Sequence, residues 1–221
     1  MKTILIDWQK FDTVFLDMDG TLLDLHFDNH FWLEHMPKRY AEKHSISVKQ
    51  ATDELMEKTT KVVGSLDWYC LDYWEKTLEM DIVALKHEVS DRIAIRNNVT
   101  EFLDFLQSLN KRIVLLTNAH RKTVELKFSY VKIEHHFDEV ITSHDIGLAK
   151  EEVGFWEALE KVERFDKTRS VFIDDNLDVL HAASQYGIKQ LLAIHQPDSQ
   201  QTYKDTGQYT PVECYSQIIS Y

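Results

Sequence analysis

Residues 14–21, VFLDMDGT, place two aspartates, Asp17 and Asp19, directly after a short apolar run. The β-branched and aromatic residues of that run predict the end of a buried strand, and Gly20 predicts a sharp turn after it. Because side chains two residues apart leave an extended chain on the same side, both carboxylates can face one reaction centre. Two carboxylates this close repel each other unless a cation compensates, and Mg²⁺, which takes oxygen ligands, is the expected cation.

Two later apolar runs also end in residues that could bind a phosphate or a metal. The run RIVLL predicts a strand followed by Thr117 and Asn118, whose hydroxyl and amide can bind phosphate oxygens without adding negative charge. The run SVFI predicts a strand followed by Asp174 and Asp175. An acidic pair at the end of a strand again requires a nearby cation.

Lys150 immediately precedes a stretch that predicts an amphipathic helix, EEVGFWEALEKV. The predicted apolar face carries Val153, Phe155, Trp156, Leu159 and Val162. A lysine at a helix N-terminus is unfavourably placed, because the helix dipole favours anions there. We therefore interpret Lys150 as a residue that holds a phosphate or neutralises carboxylates, the alternative being a solvated surface lysine.

Elements that alternate between strand and helix must position these residues. Further strands are predicted near 139–143 and 190–194, and VTEFLDFLQSL predicts an amphipathic helix between the first two strands. Alternating strands and helices predict an α/β fold with a parallel, doubly wound sheet and right-handed crossovers. After Gln196 the chain is polar and predicts a loop, and VECYSQIISY predicts a final helix.

Residues 24–91 show helical patterns and no obvious strand, which predicts an all-α cap inserted after the first strand. The α/β core is then formed by residues 1–23 and 92–221. An insertion at this point can close over the ends of the strands and exclude water. Asp28 and Asn29, at its start, are candidates for substrate contacts or, as an alternative, for capping a helix that starts near residue 30.

Composition excludes several classes of partner. The 221 residues carry a formal net charge of −12, so attraction to nucleic acid polymers or anionic membranes is not expected. No stretch has the length of a membrane span, and a cytoplasmic protein is expected. Cys70 and Cys214 form no CxxC pair, so neither a disulfide nor a zinc site is indicated by their spacing. The sequence does not indicate an oligomeric state.

The order DxDGT, TN, K and DD along the chain resembles the four motifs of the haloacid dehalogenase-like (HAD) superfamily, which has a Rossmann-like core. The resemblance implies that Asp17 is the nucleophile that attacks the phosphoryl group and that Asp19 is the general acid and base. It also implies that Thr117 and Asn118 bind the phosphoryl oxygens, and that Lys150 is the cation of the third motif.

The same resemblance implies a Mg²⁺ site whose metal ligands are Asp17, Asp19, Asp174 and Asp175. Asp175 is the preferred direct ligand, since it aligns with the ligating Asp of the family's GDxxxD form, and Asp174 takes the place of that glycine. Two departures are that Glu151 replaces a proline that often follows the lysine, and that Asp178 comes one residue early for the last acid of GDxxxD.

The implied activity is that of a phosphoric monoester hydrolase working through a phosphoaspartate on a small-molecule phosphomonoester. FDNHFW and LDWYCLDYW resemble the bacterial GMP/IMP 5′-nucleotidase group of this superfamily, which implies a nucleoside monophosphate as substrate. The alternatives within the superfamily are a sugar-phosphate phosphatase and a phosphomutase. The alternative outside enzymes is a receiver-like switch phosphorylated on Asp, although receivers present their acidic pair before the phosphorylated Asp.

Overall fold

The computed structural model describes residues 3–219, and within them a sheet of six parallel strands has the order β3-β2-β1-β4-β5-β6. The strands are β1 (Thr13–Leu16), β2 (Arg112–Thr117), β3 (Glu139–Thr142), β4 (Ser170–Asp174), β5 (Gln190–Ile194) and β6 (Thr210–Val212). This confirms the predicted α/β fold with a parallel sheet and the five predicted strands.

β1 is the centre of the sheet and is buried on both faces. Its Leu16 lies opposite Leu115 of β2 on one side and Ile173 of β4 on the other. Alternate residues of β1 enter two separate apolar clusters, with Leu16 in one and Phe15 in the other. Burial on both faces explains why these strands are continuous apolar runs rather than alternating ones.

Helices cover both faces of the sheet and form most of the segment between β1 and β2. The α-helices are α1 (His26–His30), α2 (Met36–His44), α3 (Val48–Thr60), α4 (Leu66–Tyr69), α5 (Leu71–Leu78), α6 (Ile82–His87), α7 (Val99–Ser108), α8 (Arg121–Tyr130), α9 (Ser143–Ile146), α10 (Phe155–Val162) and α11 (Leu177–Tyr186). A π-helical segment, Phe31–His35, joins α1 to α2. In the part of the chain from residue 3 to 219, no helix has both the length and the apolar character to span a bilayer.

The helices α1–α6 pack around a third apolar cluster, which combines aliphatic with large aromatic residues. Phe27, Phe31 and Trp74 are buried in it. This cluster explains the aromatic richness of the segment as packing. Ser47 caps the N-terminus of α3 with a capping box. Its hydroxyl accepts a hydrogen bond from the backbone N–H of Gln50, and the Gln50 side-chain oxygen accepts one from the backbone N–H of Ser47.

The C-terminal part of the chain differs from the prediction. The expected final helix is only a single 3-10 turn, Tyr215–Gln217, and the preceding stretch contains a strand, β6, that the sequence did not predict. Pro211 lies in the middle of β6 and offers no backbone N–H. It is tolerated because β6 is at the edge of the sheet and pairs only with β5.

The helix predicted directly after Lys150 was placed too early. α10 begins at Phe155, and Val153, which was expected on its apolar face, is 99% exposed. Val162 at the other end is also exposed. The residues that do pack on the sheet are Phe155, Trp156 and Leu159.

Candidate active site

The predicted site residues meet at the carboxyl edge of the three central strands. Asp17 follows β1, Asn118 follows β2, and Asp174 is the last residue of β4. Because β1 lies between β2 and β4, these residues come from adjacent strands. The crevice beyond the carboxyl ends of strands is the usual ligand site of an open α/β sheet.

Lys150 is the cation at the centre of this edge. Its Nζ donates to Asp17 Oδ1 and to Asp174 Oδ2, each at 2.6 Å, and its side chain is only 2% exposed. Burial by itself lowers the pKa of Lys150, but the two carboxylates more than offset this and hold the pKa above its ordinary value. Lys150 therefore stays charged and neutralises carboxylates, which is one of the two roles predicted for it from the sequence.

The reason given for singling out Lys150 was wrong, although the residue lies at the site. Since α10 begins five residues later, Lys150 is not at a helix N-terminus and no conflict with a helix dipole arises. A loop places it instead. Its backbone N–H donates to Asn118 Oδ1 at 2.9 Å, which anchors the loop to the end of β2.

Three carboxylates form a group that could hold a metal ion. One oxygen from each of Asp17, Asp174 and Asp175 lies within 4.8 Å of the others. Burial raises the pKa of each of these carboxyls to about 6, so the three groups hold their protons unusually tightly. An all-oxygen donor set fits a hard divalent cation such as Mg²⁺. Asp19, the fourth predicted ligand, is not part of this group.

Gly20 makes room for the group. Its φ of +82° is a conformation that side chains other than glycine rarely adopt, and a Cβ at this position would lie 2.8 Å from Asp175 Cγ. The glycine therefore serves both the turn after β1 and the close approach of Asp175.

Asp19 belongs to a second buried ion network. Lys127 of α8 donates to Asp19 Oδ1 and, at 2.5 Å, to Asp28 Oδ2, while Lys86 of α6 donates to Asp28 Oδ1 at 3.0 Å. Burial raises the pKa of Asp19 to about 6. For Asp28 the effect of burial is outweighed by Lys127 and Lys86, which lower its pKa to about 2.

Asp28 and Asn29 lie in α1, not ahead of it, so the alternative that they cap a helix is wrong. Both line the cavity described below. Asn29 Nδ2 donates to the buried Asp198 Oδ2 at 2.7 Å, which ties α1 to the loop after β5.

Thr117 and Asn118 are both buried at the floor of the cavity. Asn118 Oδ1 also accepts from the Ser143 hydroxyl, and its amide donates to Glu151 Oε2 at 2.8 Å. Tyr69, in α4, donates to the other oxygen of Glu151 at 2.8 Å. Glu151, the residue that departs from the family pattern, thus links the end of β2 to the helical segment above it.

Four residues of the site were missed by sequence reasoning: Lys86, Lys127, Glu151 and Lys204. Lys204 Nζ lies 3.3 Å from Asp175 Oδ2. Lys127 did carry a signal, since it stands beside Leu126 and Phe128 on a helix that packs into the core. Lys86 similarly follows the apolar residues of α6. Glu151 was noted only as a departure from the family pattern, and Lys204 occupies a polar stretch in which nothing local marks it.

A cavity of about 680 Å³ lies between the strand ends and the helices above them. Its floor is polar and includes the carboxylates, Lys150 and the end of β2. Its upper wall is largely apolar and contains three indole rings, Trp32, Trp68 and Trp74. A volume of this size with a few convergent polar groups suits a small organic molecule.

Known proteins match this chain over most of its length. A family model described as haloacid dehalogenase-like hydrolase matches residues 11–187. The GMP/IMP nucleotidase YrfG of Escherichia coli K12 is 36% identical over 214 residues, which are 97% of this chain and 96% of that protein. The same figures hold for GMP/IMP nucleotidase YrfG of Shigella flexneri.

Solved structures show the same fold at low identity. A HAD phosphatase from Thermococcus onnurineus superposes with a TM-score of 0.75 at 18% identity, covering 94% of this chain and 95% of that one. A dehalogenase superposes with a TM-score of 0.60 at 16% identity, covering 96% of both chains.

Replacing Lys127 by Met should lower the free energy of unfolding at about pH 7.5 by about 3–5 kcal/mol, because Asp19 and Asp28 then lose their shared cation. Without Lys127, the buried carboxyls of Asp19 and Asp28 bind protons more tightly in the folded state than in the unfolded chain. The loss of unfolding free energy relative to the wild type should therefore be smaller at about pH 5.5. Urea denaturation at both pH values measures the effect. As a control, Lys132→Met, at an exposed lysine, should cost under about 1 kcal/mol. If both variants lost the same amount of unfolding free energy, the stabilising role of the Lys127 ion network would be contradicted.

Proposed function

The chain belongs to the haloacid dehalogenase-like hydrolase family, and we propose from that membership that it is a Mg²⁺-dependent phosphatase of purine nucleoside 5′-monophosphates, GMP and IMP. The observation that carries the chemical part of this proposal is the Lys150 ammonium held between Asp17 and Asp174 on the floor of the cavity. The substrate part is supported by the 36% identity to GMP/IMP nucleotidase YrfG over 97% of the chain.

Asp17 is the proposed nucleophile. One of its carboxylate oxygens attacks phosphorus, the bond from phosphorus to the nucleoside oxygen breaks, and the phosphoryl group is carried on the aspartate. Water then attacks the phosphoaspartate, which releases phosphate and restores the carboxylate. Lys150 orients Asp17 through Oδ1 and lowers the negative charge that an incoming phosphate dianion meets.

Asp19 is the proposed acid and base. Its pKa of about 6 allows it to hold a proton in part of the population near neutral pH and to give that proton to the leaving nucleoside oxygen. The resulting carboxylate then takes a proton from the attacking water. Lys127 fixes the direction of this carboxylate and so acts as a positioning residue.

Asp17, Asp174 and Asp175 are the proposed ligands of Mg²⁺, which supplies positive charge beside the phosphoryl oxygens when it is bound. Asp19 was also predicted as a ligand, and its carboxylate pairs with Lys127 instead of joining this group. Thr117 and Asn118 are the proposed partners of the phosphoryl oxygens. Both line the cavity beside Lys150.

The proposed cap, residues 24–91, supplies the wall against which the base would bind. Its indole rings offer flat apolar faces for stacking. Asn29 is the proposed polar contact to sugar or base, because it lines the cavity from the cap side. The protein is proposed to act in the cytoplasm on a small molecule.

Replacing Asp17 by Asn should lower kcat by at least about a thousandfold, because an amide cannot form the acyl phosphate. The protein should remain folded, since the buried carboxyl costs stability at neutral pH. Steady-state phosphate release and circular dichroism measure the two effects. Asp53→Asn, at an exposed acid of α3, is the matched control and should keep full activity. Appreciable turnover by a folded Asp17→Asn protein would exclude Asp17 as the nucleophile.

A panel of nucleoside monophosphates and sugar phosphates tests the substrate. With Mg²⁺ present, kcat/KM for GMP and IMP should exceed that for sugar phosphates by at least about tenfold, because sugars lack the base that stacks on the cap. Free phosphate is the readout, and the Asp17→Asn protein provides the blank. A preference for sugar phosphates would refute the nucleotide assignment, and an isomerised phosphate ester as product would show a mutase.

Mg²⁺ affinity should depend on pH, because protons compete for the three carboxyls whose pKa is about 6. The dissociation constant should rise by at least about tenfold between about pH 7 and about pH 5. Calorimetric titration of the chelator-treated protein measures it. Asp174→Asn should weaken binding at pH 7 and flatten the pH dependence. An affinity that is constant across this range would place the metal elsewhere.

A further inference from the structure

A second group of side chains that could bind a metal ion lies where the proposed cap meets the core. Cys70 joins α4 to α5 in the cap, His120 precedes α8, and His144 lies in α9. One donor atom from each lies within 4.8 Å of the others. The spacing of these residues along the chain indicated no site, and the fold alone brings them together.

His144 lacks the partners that a buried histidine normally has. Both of its ring nitrogens are shielded from solvent, and neither has a hydrogen-bond partner within residues 3–219. A buried polar atom without a partner costs about 1–3 kcal/mol. A metal bond to one of these nitrogens would remove that cost.

His120 is free enough to serve as a second ligand. Its Nδ1 accepts from the Lys122 backbone N–H at 3.3 Å, and its Nε2 lies 3.7 Å from Asp72 Oδ2. Both contacts are long and therefore weak, so exchanging either of them for a metal bond would cost little free energy. The His120 and His144 rings are 4.7 Å apart between centroids and inclined at 77°. Two histidines on one tetrahedral zinc have centroids about 5 Å apart, given the usual bond lengths.

The chemistry of the donors differs from that of the carboxylate group. Burial lowers the pKa of both His120 and His144, so their rings are neutral near pH 7 and need lose no proton to bind a metal. A thiolate with two imidazoles suits zinc and its transition-metal neighbours, whereas Mg²⁺ prefers oxygen. The two sites would therefore select different ions.

We propose that Cys70, His120 and His144 bind a divalent transition metal, represented by Zn²⁺, and that the bound ion clips the cap to the core. His120 lies two residues after Asn118 and lines the cavity. Cys70 directly follows Tyr69, whose hydroxyl already bonds Glu151 of the core. An ion bound here would hold the cap closed over the cavity and slow the exchange of substrate and product.

Cobalt titration of the full-length, chelator-treated protein tests the site. Excess Mg²⁺ is included so that the carboxylate group is occupied. Co²⁺ should give the visible bands of a tetrahedral complex and a thiolate-to-cobalt charge-transfer band. Cys70→Ser should abolish the charge-transfer band, and His144→Ala should weaken binding by at least about tenfold. Cys214→Ser, at the chain's other cysteine, is the matched control and should leave both spectra unchanged.

Turnover measurements with and without Zn²⁺ test whether the bound ion clips the cap to the core. Zn²⁺ added at saturating Mg²⁺ should lower kcat of the wild-type protein, a chelator should restore it, and Cys70→Ser should be insensitive. No charge-transfer band in the wild type, or one retained in Cys70→Ser, overturns the site. Binding without any loss of turnover overturns the clip.

Two features keep this test independent of other failures. The cobalt spectra do not require catalysis, so they remain informative if the proposed nucleotidase activity is not found. If Cys70→Ser does not fold, alkylation of Cys70 in the Cys214→Ser protein replaces it. Zn²⁺ should slow that alkylation by at least about tenfold, and an unchanged rate overturns the site.

Discussion

The contact on which the site depends is that of the Lys150 ammonium with Asp17 and Asp174. A parallel sheet brings the ends of its central strands together, and here those ends carry carboxylates that are buried and repel one another. Lys150 is the cation that the chain itself provides at this point, and the Asn118 side chain holds its loop in place. The same two carboxylates, together with Asp175, form the group that fits a divalent ion.

The sequence predicted this edge well because its signals are local. Each central strand is a short apolar run that ends abruptly in polar residues, so Asp17, Thr117 and Asp174 could be placed at strand ends without knowledge of the fold. Parallel pairing then brings those ends to one edge whatever the intervening segments do. Lys150 could be linked to this edge only through the resemblance, because the helix argument used for it was mistaken.

Features that depend on distant pairing could not be predicted in this way. The apolar neighbours of Lys127 could have indicated that it is buried, but its partner Asp19 lies 108 residues earlier and is identified only by the fold. β6 is three residues long with a proline in its centre, so its strand character comes from the neighbouring β5 rather than from its own residues. Glu151 likewise has meaning only through Tyr69 and Asn118, which approach it from the cap and from β2.

The two aspartates of the DxD motif are held by different lysines of the α/β core, and only one of these lysines also contacts the helical segment 24–91. Asp17 is held by Lys150, and all its cationic support comes from the α/β core. Asp19 is held by Lys127, which is shared with Asp28 of the cap. In the proposed mechanism the nucleophile is thus in place whether or not the cap is closed. The lysine that holds the acid and base is also paired with Asp28 of α1, so the position of α1 would change the charge around Asp19 and couple proton transfer to the exclusion of water from the cavity.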